Sequence, residues 1–352
     1  MSQHLVIMAG GVGSRFWPMS TPQRPKQFID ILGCGRTLLQ LTFDRFAGIC
    51  PNENIWVVTS AAYAQLVRQQ LPEIPVSNIL LEPCRRNTAP CIAYVSWRIK
   101  SQDPEADIVV SPSDHVVLNQ QEFQRVVTSA LNFTSETDAI VTLGMKPTRP
   151  ETGYGYIQAD LSVACARNRE IYQVDAFHEK PDLQKAKSYI AQKNFFWNSG
   201  LFVFRVGTII NALRIYAPEI SEIFENLLPV YGTDREQQAI DERFPDCPSV
   251  SIDYAVMEKA DEIYVFPADF GWSDLGTWGS LREQSPRDIQ GNAVIGQKVT
   301  LYESRNCIIH AADERRVVVQ GLDGYIVAEK DNTLLICRLA DEQLIRQFAE
   351  EK

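Results

Sequence analysis

The sequence predicts an α/β protein: a mixed, mostly parallel sheet flanked by helices, followed by a small β-rich domain. Two observations carry this. Apolar runs alternate with helix-spaced segments over residues 4–145, the pattern of strand–helix–strand units joined by right-handed crossovers. After a turn-rich stretch, "SPRDIQGNAV" (Ser285–Val294), short β-rich segments recur at even spacing, as in a small solenoid or sandwich. The expected division is 1–287 and 288–352.

"HLVIMA" is a continuous apolar run that ends at glycines, as expected for a strand buried on both faces. "TLLQLTFDRFAGI" (Thr37–Ile49) has helical spacing, with Leu38, Leu41, Phe46 and Ile49 able to share a face. "NIWVVTS" reads as a strand, "AAYAQLVRQQL" as a helix and "SNILLEP" as a third strand. "TAPCIAYVSWRIKSQ" is a helix that Thr88 could cap, with Pro90 in its first turn. "ADIVVSPSDH" is a fourth strand running into a loop. Beyond residue 150, "TGYGYIQA", "YQVDAFHEKP", "FFWNSGLFVFR" and "EIYVFPADFGWSDLG" read as strands with loops. "LQKAKSYIAQ" and "TIINALRIYA" read as helices. The tail carries "NAVIGQKVTLYES", "CIIHAAD", "RRVVVQG", "YIVAEKD" and "TLLICRL" as β segments. A closing helix, "ADEQLIRQFAEE", places Leu344, Ile345 and Phe348 on one side.

Composition narrows the function. Apolar content of 45% with 22% charged residues suits a globular protein, and no apolar run reaches the roughly 20 residues of a membrane span. The N-terminal apolar run is short and has no basic region ahead of it, so it reads as a strand and not as a signal peptide. None of the eight cysteines forms a C-x-x-C pair, which suits reduced thiols in the cytoplasm. The net charge of −10 argues against nucleic-acid binding. It is uneven: ten Lys/Arg against five Asp/Glu give the first hundred residues +5, leaving −15 elsewhere. A positive N-terminal part on an acidic body suits a small polyanion such as a nucleotide.

The chemistry begins at "MAGGVGSRFWPMSTPQRPKQF". This is not a Walker loop, because no Lys-Ser or Lys-Thr follows Gly13, and not a dinucleotide fingerprint, because Phe16 stands where a third Gly is needed. Three glycines still expose amides to anionic oxygens, and Arg15 and Lys26 follow as cations. Phosphate-rich ligands fit this set better than a bare turn does. "SPSDH" places Asp114 after a buried strand, as a Mg²⁺ ligand or as the cap of a following helix; His115 reads better as a hydrogen-bonding or packing group. "GWSDLG" offers a second carboxylate, Asp274. Two carboxylates with a Gly-rich loop fit metal-assisted phosphoryl chemistry. Acyl transfer does not fit, since no G-x-S-x-G occurs. In "FHEKP", Lys180 could hold a second phosphate and Glu179 sugar hydroxyls, or the two could form a surface ion pair. Asn198, amid the aromatics of "FFWNSGLFVF", needs partners that a bound sugar or a β-bulge at Gly200 would supply. Gly153 and Gly155 in "PETGYGYI" would let a ligand approach the backbone.

Together, in this order, "MAGGVGSRFWPMSTPQRPKQF", "EPCRRNTAP", "SPSDH", "PETGYGYI", "FHEKP", "WNSG", "SIDYAVMEK" and "GWSDLGTW" resemble the sugar-nucleotide pyrophosphorylases, most closely the GDP-mannose pyrophosphorylases. They span Met8 to Trp278. The resemblance implies a Rossmann-like nucleotidyltransferase domain and a C-terminal left-handed β-helix-like piece. It implies that Gly10, Gly11, Gly13, Arg15 and Lys26 hold the nucleotide and that Glu82, Arg86, Asn87 and Thr88 lie by the base. Asp114 and Asp274 would bind Mg²⁺, and Gly153, Glu179, Lys180 and Asn198 would hold mannose 1-phosphate. Arg15, Lys26, Asp114 and Asp274 would be the catalytic set.

The reaction implied is GTP plus mannose 1-phosphate giving GDP-mannose and pyrophosphate, by in-line attack on the α-phosphorus. It needs no protein nucleophile or base, because a phosphate monoester is largely dianionic at neutral pH. Two departures stand out. The family more often has Gly-Ser-Gly-Thr-Arg-Leu-Trp-Pro-Leu-Ser at the loop, so Val12, Ser14 and Phe16 are where triphosphate affinity would differ. Long family members also carry a cupin-like isomerase domain, and no phosphomannose isomerase activity is expected here. Other sugar 1-phosphates or nucleotides, or a non-catalytic sensor on the same fold, are the alternatives. Asp114, Asp274, Lys26 and Lys180 all being present favours an enzyme. The β-rich tail and final helix are compatible with a homodimer.

Overall fold

The computed structural model describes residues 2–11, 13–312 and 314–350, with the side chain of Ser14 also left undescribed. The chain forms two compact units, neither continuous in sequence. The larger comprises Met1–Gly10, Phe43–Pro112 and Val117–Trp272; the smaller comprises Gly11–Thr42, Ser113–Val116 and Ser273–Lys352.

In the larger unit the strands are β1 (Gln3–Met8), β2 (Ile55–Ser60), β3 (Ile79–Glu82), β4 (Asp107–Pro112), β5 (Ile140–Met145), β6 (Tyr156–Ala164), β7 (Tyr172–His178), β8 (Phe195–Arg205) and β9 (Ile263–Ala268). Among the described residues they form one nine-stranded sheet, ordered β3-β2-β1-β4-β8-β5-β9-β7-β6. The first four are parallel, with Leu5 opposite Ile55 on one side and Val109 on the other. Interior positions of β1 and β2 are buried along their length, as their unbroken apolar runs require. The mixed character enters with β8, which lies antiparallel between β4 and β5. β5 and β9 are again parallel.

Helix Thr88–Lys100 is buried on almost every side, from Ala89 to Ile99. Tyr94 and Trp97 pack with Trp56 of β2 and Phe224, and rings of this size bury more apolar area than any other side chain. Its N-cap corrects the expectation for Thr88: Asn87 occupies the cap position, with its side chain accepting from the Thr88 N–H at 2.9 Å. The Thr88 hydroxyl instead accepts from the Ile252 N–H at 2.9 Å. Helices Gln120–Ser135, Pro218–Glu225 and Glu236–Arg243 have no counterpart among the elements expected from the sequence.

The smaller unit contains β10 (Ala293–Ile295), β11 (Val299–Tyr302), β12 (Ile308–His310), β13 (Val317–Gln320), β14 (Tyr325–Lys330) and β15 (Thr333–Arg338). From β10 to β14, successive strands alternate between two sheets. β10, β12 and β14 run parallel, with β15 antiparallel at the edge; β11 and β13 form the second parallel pair. This is the coiling of a solenoid, and Cys307, Ile309, Val319 and Val327 fill its interior. The outer face of the first sheet joins a second core. Ile308, Ile326 and Leu335 pack there with Phe16, Met19, Ile29 and Trp278. The closing segment is a 3₁₀ turn, Leu339–Leu344, followed by helix Ile345–Glu350. Ile345 is buried and Phe348 packs against the same core, whereas Leu344 is exposed, because the turn rotates it off their side.

Candidate functional site

In the smaller unit, the Gly-rich loop is shaped by contacts to its own carbonyls. The Ser20 hydroxyl donates to the Gly13 carbonyl, and the Gln27 side chain donates to the Gly11 carbonyl at 2.8 Å. Gly13 has φ +60°, and a Cβ there would lie 2.5 Å from the Cβ of Lys26. Only glycine meets both conditions. Arg15 is exposed. Phe16 is fully buried against Trp278, with ring centroids 5.3 Å apart. It packs in the core and also lines the cavity around Lys26 and Asp114, with the Lys26 ammonium 5.7 Å from its ring centroid. Val12 lies outside the described residues, as does the Ser14 side chain.

Lys26 is the organising cation. It is 5% exposed and its ammonium reaches the Asp114 carboxylate at 2.9 Å and the carbonyls of Asp274 and Leu275 at 2.8 and 3.0 Å. It thereby ties the loop carrying one candidate carboxylate to the loop carrying the other. Burial resists ionisation of Asp114, but the Lys26 charge and then His115 outweigh it, and the net pKa lies below the usual carboxylate value. Asp274 Oδ1 accepts from the Gly276 N–H at 2.8 Å, which fixes its turn. Arg15, Lys26, Asp114, His115, Asp274 and Arg346 line one cavity of about 380 Å³. Arg346 was missed because the closing helix read only as packing, and its exposed face carried no motif.

Among the described residues no cluster of three metal-ligating side chains occurs. That is compatible with a hard cation that takes one or two carboxylates and fills its remaining positions with phosphate oxygens and water. Asp114, held ionised, and Asp274 on the same cavity have the right donor chemistry for such an ion.

The larger unit carries the other candidates in two groups. Glu82, at the end of β3, is buried, and its Oε1 has no hydrogen-bond partner. Burial pushes its carboxyl up to about 7, against the opposing pull of the Cys91 thiol. A Cβ on Gly10 would sit 3.2 Å from Glu82 Oε2, so the glycine admits that side chain. Arg86 donates to the Pro245 carbonyl, and Asn87 adopts φ +67°.

In the second group, Lys180 and Glu179 pair at 2.6 Å, with the lysine mostly exposed and at φ +42°. A non-glycine residue held in that region is strained, and such residues gather at functional sites. A Cβ on Gly155 would lie 2.7 Å from Glu179 Oε2 and 3.5 Å from Asn198 Cβ. Gly155 therefore belongs with Glu179 and Asn198. Gly153 does not join them: it is exposed, and its N–H goes to Glu151 at 3.1 Å. Asn198 sits where the β5–β8 register shifts, between Thr142 and Gly144.

The model of one family, described as nucleotidyl transferase, matches residues 4–291. The chain belongs to the nucleotidyl transferase family. Within this family it is similar to a mannose-1-phosphate guanylyltransferase of Escherichia coli K12, at 37% identity over 98% of this chain and 72% of the relative. Similarity extends to the xanthan biosynthesis protein XanB of Xanthomonas campestris, at 38% identity over 94% of this chain and 69% of the relative. A crystal structure from Thermus thermophilus, described as a mannose-1-phosphate geranyltransferase, superposes with a TM-score of 0.89 at 31% identity over 99% of both chains. The nucleotidyl transferase match ends at residue 291, so β10 to β15 lie beyond it. Among the described residues no helix is long and apolar enough to cross a membrane.

Proposed function

We propose that this chain transfers GMP from GTP to mannose 1-phosphate, releasing pyrophosphate. The observation that carries the reading is the buried Lys26 bridging Asp114 and the Asp274 loop on a cavity beside the Gly-rich loop. The similarity to guanylyltransferases over nearly the whole chain gives it a substrate pair. Nothing in the reaction asks for a protein nucleophile. The chain must bring two anions together and stabilise a departing one.

Arg15 and Arg346, solvent-facing cations on this cavity, are assigned to the triphosphate. Lys26 holds Asp114 ionised and reaches a phosphate only by exchanging that carboxylate for it. Asp114 and Asp274 would hold Mg²⁺, which when bound neutralises phosphate charge in the transition state. Glu82, Arg86, Asn87 and Thr88, with Gly10, are assigned to the nucleotide base, where the buried Glu82 oxygen lacks a partner. Lys180 is assigned to the phosphate of mannose 1-phosphate as a point charge, and Glu179 and Asn198 to the sugar hydroxyls. We further propose a cytoplasmic homodimer that binds no nucleic acid. The net charge of −10 supports the last point.

The test is pyrophosphate release from the purified chain with Mg²⁺, each nucleoside triphosphate and a panel of sugar 1-phosphates. GTP with mannose 1-phosphate is expected to be the preferred pair. Preference for another pair would change the substrate assignment, and no release with any pair would refute catalysis.

A further inference from the structure

The motif "SIDYAVMEK" holds no residue of the site proposed above. It nevertheless touches both groups of candidate residues in the larger unit, one through backbone and the other through the Asp253 side chain. On one side, the Ile252 N–H donates to the Thr88 hydroxyl at 2.9 Å, and the Ala89 N–H donates to the Val250 carbonyl at 3.1 Å. The segment that follows β3 and carries the base-side candidates thus pins this one. Next comes a single π-helical turn, Asp253–Met257, with the Glu258 N–H donating to the Asp253 carbonyl at 2.9 Å. Such turns cost regular hydrogen bonding and recur where a side chain must be aimed. Here the turn aims Asp253 at Asn198, whose Nδ2 donates to Asp253 Oδ1 at 2.7 Å.

The remaining bonds of Asn198 fix its orientation. Its Oδ1 accepts from the Thr142 hydroxyl at 3.3 Å and from the Gly200 N–H at 3.1 Å. Flipping the amide would set N–H against N–H and carbonyl against carboxylate, so only one orientation satisfies the network. One Nδ2–H is left over, beside Glu179 and Gly155. We propose that Asp253 is a positioning residue of the sugar-phosphate site, locking the Asn198 amide so that this remaining N–H meets a ligand oxygen. Through Thr88, the same segment mechanically links the base side to the sugar side. Burial and the neighbouring Glu179 charge raise the Asp253 pKa, against the Asn198 hydrogen bond. Asp253 is thus held close to a like charge by its partner amide.

The inference rests on the proposed function, and steady-state kinetics separate the two. Loss of a charge-assisted bond of this kind predicts that Asp253→Ala raises KM for the sugar 1-phosphate about tenfold or more, with KM for GTP changed by less than about threefold. Asp253→Asn keeps an acceptor for Asn198 and is expected to recover most of the loss, which also guards against a variant that merely misfolds. In an Asn198→Ala background, Asp253→Ala should add less than about twofold, because it acts through that amide. Three results would overturn the role: an unchanged sugar-phosphate KM, an equal rise for both substrates, or a full effect without Asn198. A wild-type chain inert with every substrate pair overturns the functional reading and this one with it. An active wild type with an indifferent Asp253→Ala overturns this one alone.

Discussion

Replacing Glu82 by glutamine should stabilise the protein by an amount that grows as pH rises from about 4.5 through about 7. Glu82 is 8% exposed, with one oxygen buried and unpartnered. Its carboxyl is pushed up from 4.5 to about 7, chiefly by burial. A raised acid pKa means that the fold prefers the neutral form. The corresponding stability is fully present below the unfolded value near 4.5 and is lost as pH rises through about 7. The difference between those two values corresponds to about 3 kcal/mol once Glu82 is ionised in both states. Glutamine has the same shape and no charge to desolvate. At roughly 2 °C per kcal/mol for a protein of this size, Glu82→Gln should melt about 6 °C above wild type at pH 8.5 and nearly level with it at pH 4. Asp107, pushed up to about 6 with burial the main cause, bends the wild-type curve in the same direction. It is common to both proteins and cancels in the difference. Differential scanning fluorimetry across this range is the assay. Melting curves that stay parallel from pH 4 to 8.5 would show that Glu82 ionises normally in the folded chain and that burial does not govern it.

Asp274→Asn keeps an oxygen for the Gly276 N–H, so the turn should survive while the charge is lost; turnover should fall about a hundredfold or more, and a twofold change at saturating Mg²⁺ would remove Asp274 from the catalytic set. Lys180→Ala should raise KM for the sugar 1-phosphate more than KM for GTP, by about tenfold for a lost charge-assisted contact; equal rises would refute its assignment. Arg346→Ala should raise KM for GTP about fivefold or more and leave KM for the sugar phosphate alone, as expected of a solvent-facing cation on the cavity proposed for the triphosphate; no effect would mean that it lines the cavity without contacting substrate.

What the sequence disclosed depended on how local the signal was. β1, β2 and β4 were legible because a strand buried on both faces must be apolar at every position. Helix Leu183–Gln192 was legible because a half-exposed helix must alternate at its own period. "FFWNSGLFVFR" was recognised as a strand, yet nothing in it says that it slots antiparallel between β4 and β5. That choice is made by partners 50 or more residues away. Helix Glu236–Arg243 was missed because it buries only Ile240 and has almost no apolar stripe. The candidate site divides in the same way. Asp114 and Asp274 stood out as acids at loop positions, whereas the aim of Asp253 depends on an amide 55 residues away. Arg346 depends on how the last helix docks.

The two glycines that matter most are set by side chains, which gives the opening loop a different logic from a phosphate wrap. Gly13 is the last glycine of a stretch that resembles a phosphate loop, but the nearest atom to its missing Cβ is the Cβ of Lys26 at 2.5 Å. Gly155 has Glu179 Oε2 at 2.7 Å from the corresponding position. In each case a charged side chain takes the space that a Cβ would occupy. A Walker loop uses its glycines to wrap backbone amides around phosphate and puts its lysine directly after them. Here the lysine arrives from thirteen positions further along the chain, buried, and held by Asp114 and two carbonyls. The glycine is therefore the condition for burying that cation, and the buried cation is the condition for holding Asp114 ionised beside Asp274. An alanine at position 13 would act first on the carboxylates, and on a phosphate only through them.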